Sequence, residues 1–285
     1  MGIFDGCLLA SDIDGTLLIN GYINPKNVEK IEHFIDEGGI FSLSTGRSVG
    51  AISDVLSQLK RVSPSVVLNG AIIYDYSNGT TLYEMVLPEK DHRIAKLVAD
   101  SDINVGIEIH CGAKVFTFVR TKETTLHQEY EKFLAPDVTF DELTKYNWNK
   151  ALYIFQNAED REKVKALLKS EKTDCDFVET CACIDGVTYN YYEQIPKGVS
   201  KASSLKILCE MKNIKQGHLF AIGDYYNDIE MLEEADVCAV PIDSPEEIKS
   251  LADYITCVCN DGAVADFIDY LESKLNAEWH SNRKD

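Results

Sequence analysis

The sequence predicts an α/β protein: a doubly wound parallel-sheet (Rossmann-like) core with an inserted α+β domain. Three observations predict it. Strand-like and helix-like patterns alternate over residues 7–68, as in a parallel sheet with covering helices. From about Glu84 to Tyr192 that alternation gives way to period-two strands and Gly-containing loops, the pattern of an antiparallel sheet. From Glu193 the first texture returns. The chain therefore reads as one domain made of two distant segments, 1–84 and 193–285, with residues 85–192 inserted between them.

In order, residues 7–12 read as a buried strand: an apolar run, Cys7-Leu8-Leu9, followed by the turn-prone Asp12-Ile13-Asp14-Gly15. Asn24-Pro25 offers a helix cap with proline at the first helical position, and Val28, Ile31, Phe34 and Ile35 follow at helical spacing until Gly38-Gly39. A second strand, residues 40–44, ends at Thr45-Gly46-Arg47. Ile52, Val55, Leu56 and Leu59 then predict an amphipathic helix. A third strand, 65–68, ends at Asn69-Gly70, and strands at 72–76 and 80–85 flank Asn78-Gly79, which predicts a two-residue hairpin turn.

Inside the insertion, the pattern predicts a helix over 88–100, strands over 103–109 and 114–120, a helix over 122–134 and a strand over 151–156. A helix starts near Asn157, with Val164, Leu167 and Leu168 on one side, and two strands joined at Asp185-Gly186 end at Tyr192. Beyond it, Ser200-Lys201 opens a helix with Leu205, Leu208 and Met211. A strand at 218–222 ends in Gly223-Asp224-Tyr225-Tyr226-Asn227-Asp228, and strands at 237–240 and 254–257 complete the sheet. The chain from about Asn276 reads as a polar, frayed tail.

With 285 residues, 45% of them apolar, the chain can bury a substantial core without staples. A formal charge of -19 argues against nucleic acid and against an anionic membrane surface as partners. An acidic protein that handles an anionic substrate must build a local positive site, most simply from a divalent metal and placed basic residues. Nine scattered cysteines point to reduced thiols and a cytoplasmic location. Cys181-x-Cys183 and Cys257-x-Cys259 fit thiols sharing one strand face better than zinc pairs, whose spacing is wider. No run approaches the ~20 apolar residues that span a bilayer, and the first residues lack the basic start and apolar run of a secretion signal.

Asp12 and Asp14 sit one residue apart where the first strand leaves the sheet at its carboxyl edge, the edge at which open α/β sheets hold ligands. Like charges so close repel, so the pair asks for a metal or a lysine. Three other stretches fall at strand ends or helix starts: Thr45 with Gly46, Lys201, and Asp224 with Asn227 and Asp228. Mg²⁺ prefers a few carboxylate oxygens and keeps several waters, so Asp12, Asp14 through its backbone carbonyl, and Asp224 are its candidate ligands, with Asp228 behind them or as an additional ligand. A carboxylate also attacks phosphorus to form an aspartyl phosphate, and Asp12 is the candidate nucleophile. Lys201 and the metal would neutralise charge, and the Thr45 hydroxyl with backbone N–H groups would bind phosphate oxygens. Asp14 would protonate the leaving oxygen and then activate water. Each motif alone has a plainer explanation: Thr-Gly-Arg is a turn, Lys201 a solvated lysine, and Gly-Asp-Tyr-Tyr-Asn-Asp a loop capping a helix. All four in order at element ends favour the chemistry. Lys197 remains an alternative to Lys201, and Ser44 to Thr45, because a one-residue shift at the strand end exchanges them. Tyr189, Tyr191 and Tyr192 either line a cleft or form a packed strand face.

On these residues the chain resembles the haloacid dehalogenase superfamily, and within it the Cof-type hydrolases with a type IIB cap. Asp12-Ile13-Asp14-Gly15-Thr16 is similar to the first family motif, Thr45-Gly46-Arg47 to the second, Lys201 to the third, and Gly223-Asp224-x-x-Asn227-Asp228-Ile229-x-Met231-Leu232 to the fourth. Asn69-Gly70-Ala71 matches a further recurrent stretch. The family lysine is usually followed by Gly, and here by Ala202. The resemblance implies a Mg²⁺-dependent phosphatase acting on phosphorylated sugars and related small metabolites, with the insertion as a cap that sets specificity. It also implies phosphate- or substrate-binding roles for Gly46, Arg47, Asn69 and Asn227. Alternatives on the same scaffold are a phosphomutase or phosphotransferase and a regulator that binds a phosphorylated ligand without catalysis. Nothing in the sequence bears on oligomeric state.

Overall fold

The structure is a computed structural model that describes residues 2–184 and 186–281, without the side chains of residues 182–184 and 278–281. The chain forms two compact units, one of Met1–Thr45, Ser53–Thr80 and Ser200–Asp285, the other of Gly46–Ile52 and Thr81–Val199.

The first unit is built on five parallel strands in the order Tyr254–Thr256, Val237–Pro241, Leu219–Ile222, Leu8–Ser11, Ile40–Leu43. Every residue of Leu8–Ser11 and of Leu219–Ile222 is buried, because helices cover both faces of such a sheet; this is why these strands read as unbroken apolar runs. The chain moves from Leu8–Ser11 outward to Ile40–Leu43 and later returns to the other side of the first strand at Leu219–Ile222. That reversal puts a topological switch point, the usual ligand crevice of open α/β sheets, at the carboxyl end of Leu8–Ser11.

Asn24 caps the helix Pro25–Asp36, its side chain accepting from Lys26 N, with proline at the first turn as expected. The helix expected from Ile52 to Leu59 is a single turn, Ser53–Leu56. Ile52, Val55 and Leu59 are nonetheless buried, so the periodicity reported burial, which turns also provide. Ser65–Val67 touches the parallel sheet through one bridge, Val66 to Ser44, and pairs antiparallel with Ile72–Asp75. The connection after Ile72–Asp75 is a four-residue turn, not two. The Asp75 carboxylate accepts from Ser77 N at 2.9 Å and Asn78 N at 3.3 Å, an Asx arrangement that fixes the longer loop. The final helix, Ala263–Ser281, continues through the segment expected to fray; residues 282–285 lie outside the described ones.

The second unit is a five-stranded antiparallel sheet in the order Cys175–Ile184, Val187–Pro196, Lys150–Phe155, Gly106–Cys111, Lys114–Val119. Ile107, Ile109, Tyr153 and Phe155 on one face pack with Trp148 and with Ile94 and Val98 of the helix Arg93–Ala99, and Val164 and Leu168 of the helix Ala158–Leu168 join them. The helix expected over 88–100 is divided into a 3₁₀ turn, Glu89–Asp91, and Arg93–Ala99. The one expected over 122–134 ends at Tyr130, and Lys132 then takes a left-handed conformation, φ +57°. Strand Val187–Pro196 runs past Tyr192, with Glu193 opposite Val178 and Pro196 opposite Cys175. The unit therefore extends over 81–199 where 85–192 was expected, and it takes in Gly46–Ile52, which sequence patterning placed in the core. Tyr189 and Tyr191 form a packed face with Leu152, Ile154, Leu126 and Tyr130, while Tyr192 stacks on Phe177. Asp185, half of the expected turn with Gly186, lies outside the described residues, as does the Cys183 side chain; the other eight cysteines are free thiols. No helix among the described residues is long and apolar enough to cross a membrane.

Candidate active site

Asp12 N still pairs with Ile222 O at 2.9 Å, so the carboxylate stands at the carboxyl end of the central strand. The chain then turns tightly: Leu17 N and Leu18 N both donate to Ile13 O, and Gly15 N to Leu18 O. Gly15 has φ +87°, and a Cβ there would collide with the Asp224 carboxylate. Only glycine lets the turn and Asp224 come this close. Thr16 Oγ1 donates to Asp224 Oδ1 at 2.8 Å and orients that carboxylate.

Lys201 is the first residue of the helix Lys201–Lys212, which Ser200 opens with a capping box to Ser203. Gly70, at φ +104°, lets its loop lie against the Ser200 backbone, where a side chain would clash, and Ser204 Oγ donates to Gly70 O at 2.5 Å. The helix start is thereby fixed. From it the buried Lys201 Nζ reaches Asp12 Oδ1 and Asp228 Oδ1, each at 2.6 Å. Lys197, the alternative, is exposed on the turn that follows the second unit's last strand. Asp228 is fully buried, and its second oxygen accepts from Asp224 N at 3.0 Å and Tyr225 N at 3.1 Å. Both Asp228 oxygens are thus engaged, which suits it to orienting Lys201 and the Asp224 turn.

One carboxylate oxygen from each of Asp12, Asp224 and Asp228 falls within 4.8 Å of the others, the one such acidic grouping found among the described residues. Burial first, and then the neighbouring carboxylates, push Asp12 up to about 7 and Asp224 up to about 8 against the pull of Lys201. Burial alone would pull Lys201 down; Asp12 and Asp228 overcome it and hold the ammonium above its ordinary value. Three carboxylates share one cation here. The shortfall of positive charge and the all-oxygen donor set fit a hard divalent ion such as Mg²⁺.

Asp14 follows in the turn, near enough to raise Asp12 further. Ser44 is the last residue of its segment to pair with the central strand, donating to Ser11 O at 2.8 Å. Thr45 turns away, its N donating to Val66 O and its O accepting from Asn69 N, both at 3.0 Å, so it is the first residue past the strand end. Asn69, left-handed at φ +52°, accepts from Asn227 Nδ2 at 3.4 Å. Gly46 and Arg47 belong to the second unit. Thr16 was legible only as the last residue of the first motif, with no role of its own; its signal was its place directly after Gly15.

The profile of one protein family, described as haloacid dehalogenase-like hydrolases, matches residues 9–268. The chain belongs to the haloacid dehalogenase-like hydrolases. Among its relatives, the 5-amino-6-(5-phospho-D-ribitylamino)uracil phosphatase YwtE of Bacillus subtilis is 25% identical, with 93% of this chain and 98% of that protein aligned. The phosphatase YwpJ of the same organism is 24% identical over 93% of this chain and 99% of that protein. Among solved structures, the subclass IIB sugar phosphatase BT4131 superposes with a TM-score of 0.78 at 18% identity, covering 93% of this chain and 98% of that one. At that identity the likeness speaks for the fold: this hydrolase shares a parallel-sheet core with an inserted α+β unit.

Proposed function

We propose that this hydrolase is a Mg²⁺-dependent phosphatase that releases phosphate from a small phosphomonoester, a sugar phosphate or related metabolite, through an aspartyl phosphate on Asp12. The observation that carries the reading is the buried Lys201 ammonium, 2.6 Å from Asp12 Oδ1, inside a carboxylate grouping at the switch point of the sheet. A phosphoryl group is the substrate that needs both a nucleophilic carboxylate and concentrated positive charge. Asp12, Asp224 and the Asp14 carbonyl would hold Mg²⁺, which supplies charge neutralisation beside the nucleophile when bound.

Asp12 forms the new oxygen–phosphorus bond as the bond to the leaving oxygen breaks, and Asp14 gives that oxygen its proton. Asp14 then takes a proton from water; the water oxygen bonds to phosphorus, the Asp12–phosphorus bond breaks, and inorganic phosphate departs. Lys201 offsets negative charge in both halves, held in place by Asp228. Thr45, the first residue past its strand, is the hydroxyl donor to phosphate, with Asn69 and Asn227 as further binding groups. The names of the relatives, a sugar phosphatase and a phosphoribitylaminouracil phosphatase, support a small phosphorylated substrate.

The test is phosphate release from a panel of sugar phosphates, nucleotides and cofactor phosphates with Mg²⁺, for wild type and Asp12→Asn. Turnover by wild type that is lost in the variant and on chelation is expected. Turnover that survives either treatment would overturn the mechanism.

A further inference from the structure

The polar face of the second unit's sheet buries one base that its charged neighbours leave out. His110 lies on the strand Gly106–Cys111, is 1% exposed, and neither of its ring nitrogens has a hydrogen-bond partner. Residues opposite one another on paired strands share a face, so His110 stands with Lys150 and Val115 on the two neighbouring strands and with Glu108 two residues back. Each of the three carboxylates in this grouping already faces another cation. Glu108 has His127 Nδ1 against one oxygen and accepts from Gln128 Nε2 with the other, and Glu131, just past the helix Lys122–Tyr130, has His127 Nε2. Glu193 pairs with the Lys150 ammonium at 2.9 Å and accepts from Thr180 Oγ1 at 2.7 Å. Arg47 adds a further positive charge near Glu131.

The charges that act on His110 are both positive: Lys150 and His127, which add to burial in holding its ring well below the ordinary histidine range. A proton on His110 would put a third positive charge beside those two, with the carboxylates committed elsewhere. The unfolded chain takes up that proton near pH 6.5 and the closed face does not. The stability it contributes is therefore full above about pH 6.5 and is lost below it. The apolar cover on this face is small: Leu126 and Tyr130 of the helix Lys122–Tyr130 pack on Leu152, Ile154, Tyr189 and Tyr191, and the Tyr191 hydroxyl too is buried without a partner. The larger core lies on the other face, around Trp148. We propose that His110 is an acid latch of the second unit: a proton on its ring opens the polar face, and the helix Lys122–Tyr130 lifts from the sheet while the core face stays packed. The latch lies within the second unit and needs no phosphatase chemistry.

The experiment is hydrogen exchange of the full chain at pH 7 and pH 5, corrected for the intrinsic pH dependence of exchange, for wild type, His110→Phe and His110→Gln. Amides of Lys122–Tyr130 report opening of the polar face, and those of Ala158–Leu168, whose Val164 and Leu168 pack in the core, serve as the control. One proton taken up on opening changes the opening constant by up to tenfold per pH unit. In wild type the opening of Lys122–Tyr130 is therefore expected to rise about 10-fold or more from pH 7 to pH 5, with little change in Ala158–Leu168. Both variants are expected to lose that response, whatever their protection at pH 7. His127 titrates in all three proteins and cancels from the comparison. An equal response in wild type and in whichever variant folds would overturn the proposal. So would a loss of protection in acid shared equally by Ala158–Leu168, or an NMR titration in which His110 takes up its proton near pH 6.5 with protection unchanged.

Discussion

Two buried groupings of charge, one in each unit, are made from similar side chains and differ in balance. In the first unit Asp12, Asp224 and Asp228 share the single ammonium of Lys201. In the second, Glu108, Glu131 and Glu193 meet His127, Lys150 and Arg47. His127 Nδ1 is 2.9 Å from Glu108 Oε2 and its Nε2 3.4 Å from Glu131 Oε1, while Gln128 Nε2 donates to the remaining Glu108 oxygen at 2.7 Å. Burial would pull His127 down, but Glu108 and Glu131 overcome it and raise it to about 10. Burial would raise Glu131, yet His127 above all, with Arg47 and Lys150, keeps it below its ordinary value. In the first unit the carboxyls of Asp12 and Asp224 are pushed upward instead. A balanced grouping is complete as a structural element. One with surplus negative charge calls for a cation from outside, which is why we propose it as the site of chemistry.

The largest expected effect comes from Asp12→Asn. It should cut phosphate release by about 10⁴-fold or more, roughly 5 kcal/mol in barrier height. It also relieves crowding among carboxylates, so metal-free protein should be at least as stable as wild type in urea. His127→Leu is the opposite case. It leaves Glu108 and Glu131 buried without their cation and should cost about 3–5 kcal/mol in urea unfolding. A stable His127→Leu protein would erase the distinction between the two groupings.

Gly15→Ala ranks next. Its Cβ would meet the Asp224 carboxylate at a left-handed backbone position, for a loss of about 1–3 kcal/mol together with weakened Mg²⁺ binding by calorimetry. The last effect is graded, in pH dependence. His127 has a folded value above its unfolded one, so its stabilisation is full below about pH 6.5 and is lost as pH rises towards 10. Wild type should lose stability over that window relative to His127→Gln, as measured by urea midpoints. Parallel midpoints would contradict the assignment. His110 should not add to the difference, because burial, Lys150 and His127 hold it well below its ordinary range, neutral throughout.

Much of the first grouping was legible in the sequence because its residues sit at element ends. Asp12, Thr45 and Asp224 each follow an apolar strand, and Lys201 follows a capping serine, so local patterning placed all four at one edge. The second grouping left no such trace. Glu108, Lys150 and Glu193 lie within strands, and a lone charged residue in an apolar run carries no sign of the partner it meets across a sheet. The attachment of Gly46–Ile52 to the second unit was hidden for the same reason: Lys150 is more than a hundred residues away, and the apolar spacing of Ile52, Val55 and Leu59 reads equally as helix or as buried turns. Strand Val187–Pro196 outran its expected end because pairing with Cys175–Ile184, rather than composition, decides where it stops.

The surplus of negative charge at Asp12, Asp224 and Asp228 is tested most directly by the thermal midpoint of metal-free protein titrated with Mg²⁺, for wild type and Asp224→Asn. Binding to the folded state alone raises the midpoint with concentration. Wild type is expected to rise by several degrees at millimolar Mg²⁺, with a much smaller response in Asp224→Asn; equal responses, or none in wild type, would contradict the assignment of a cation site.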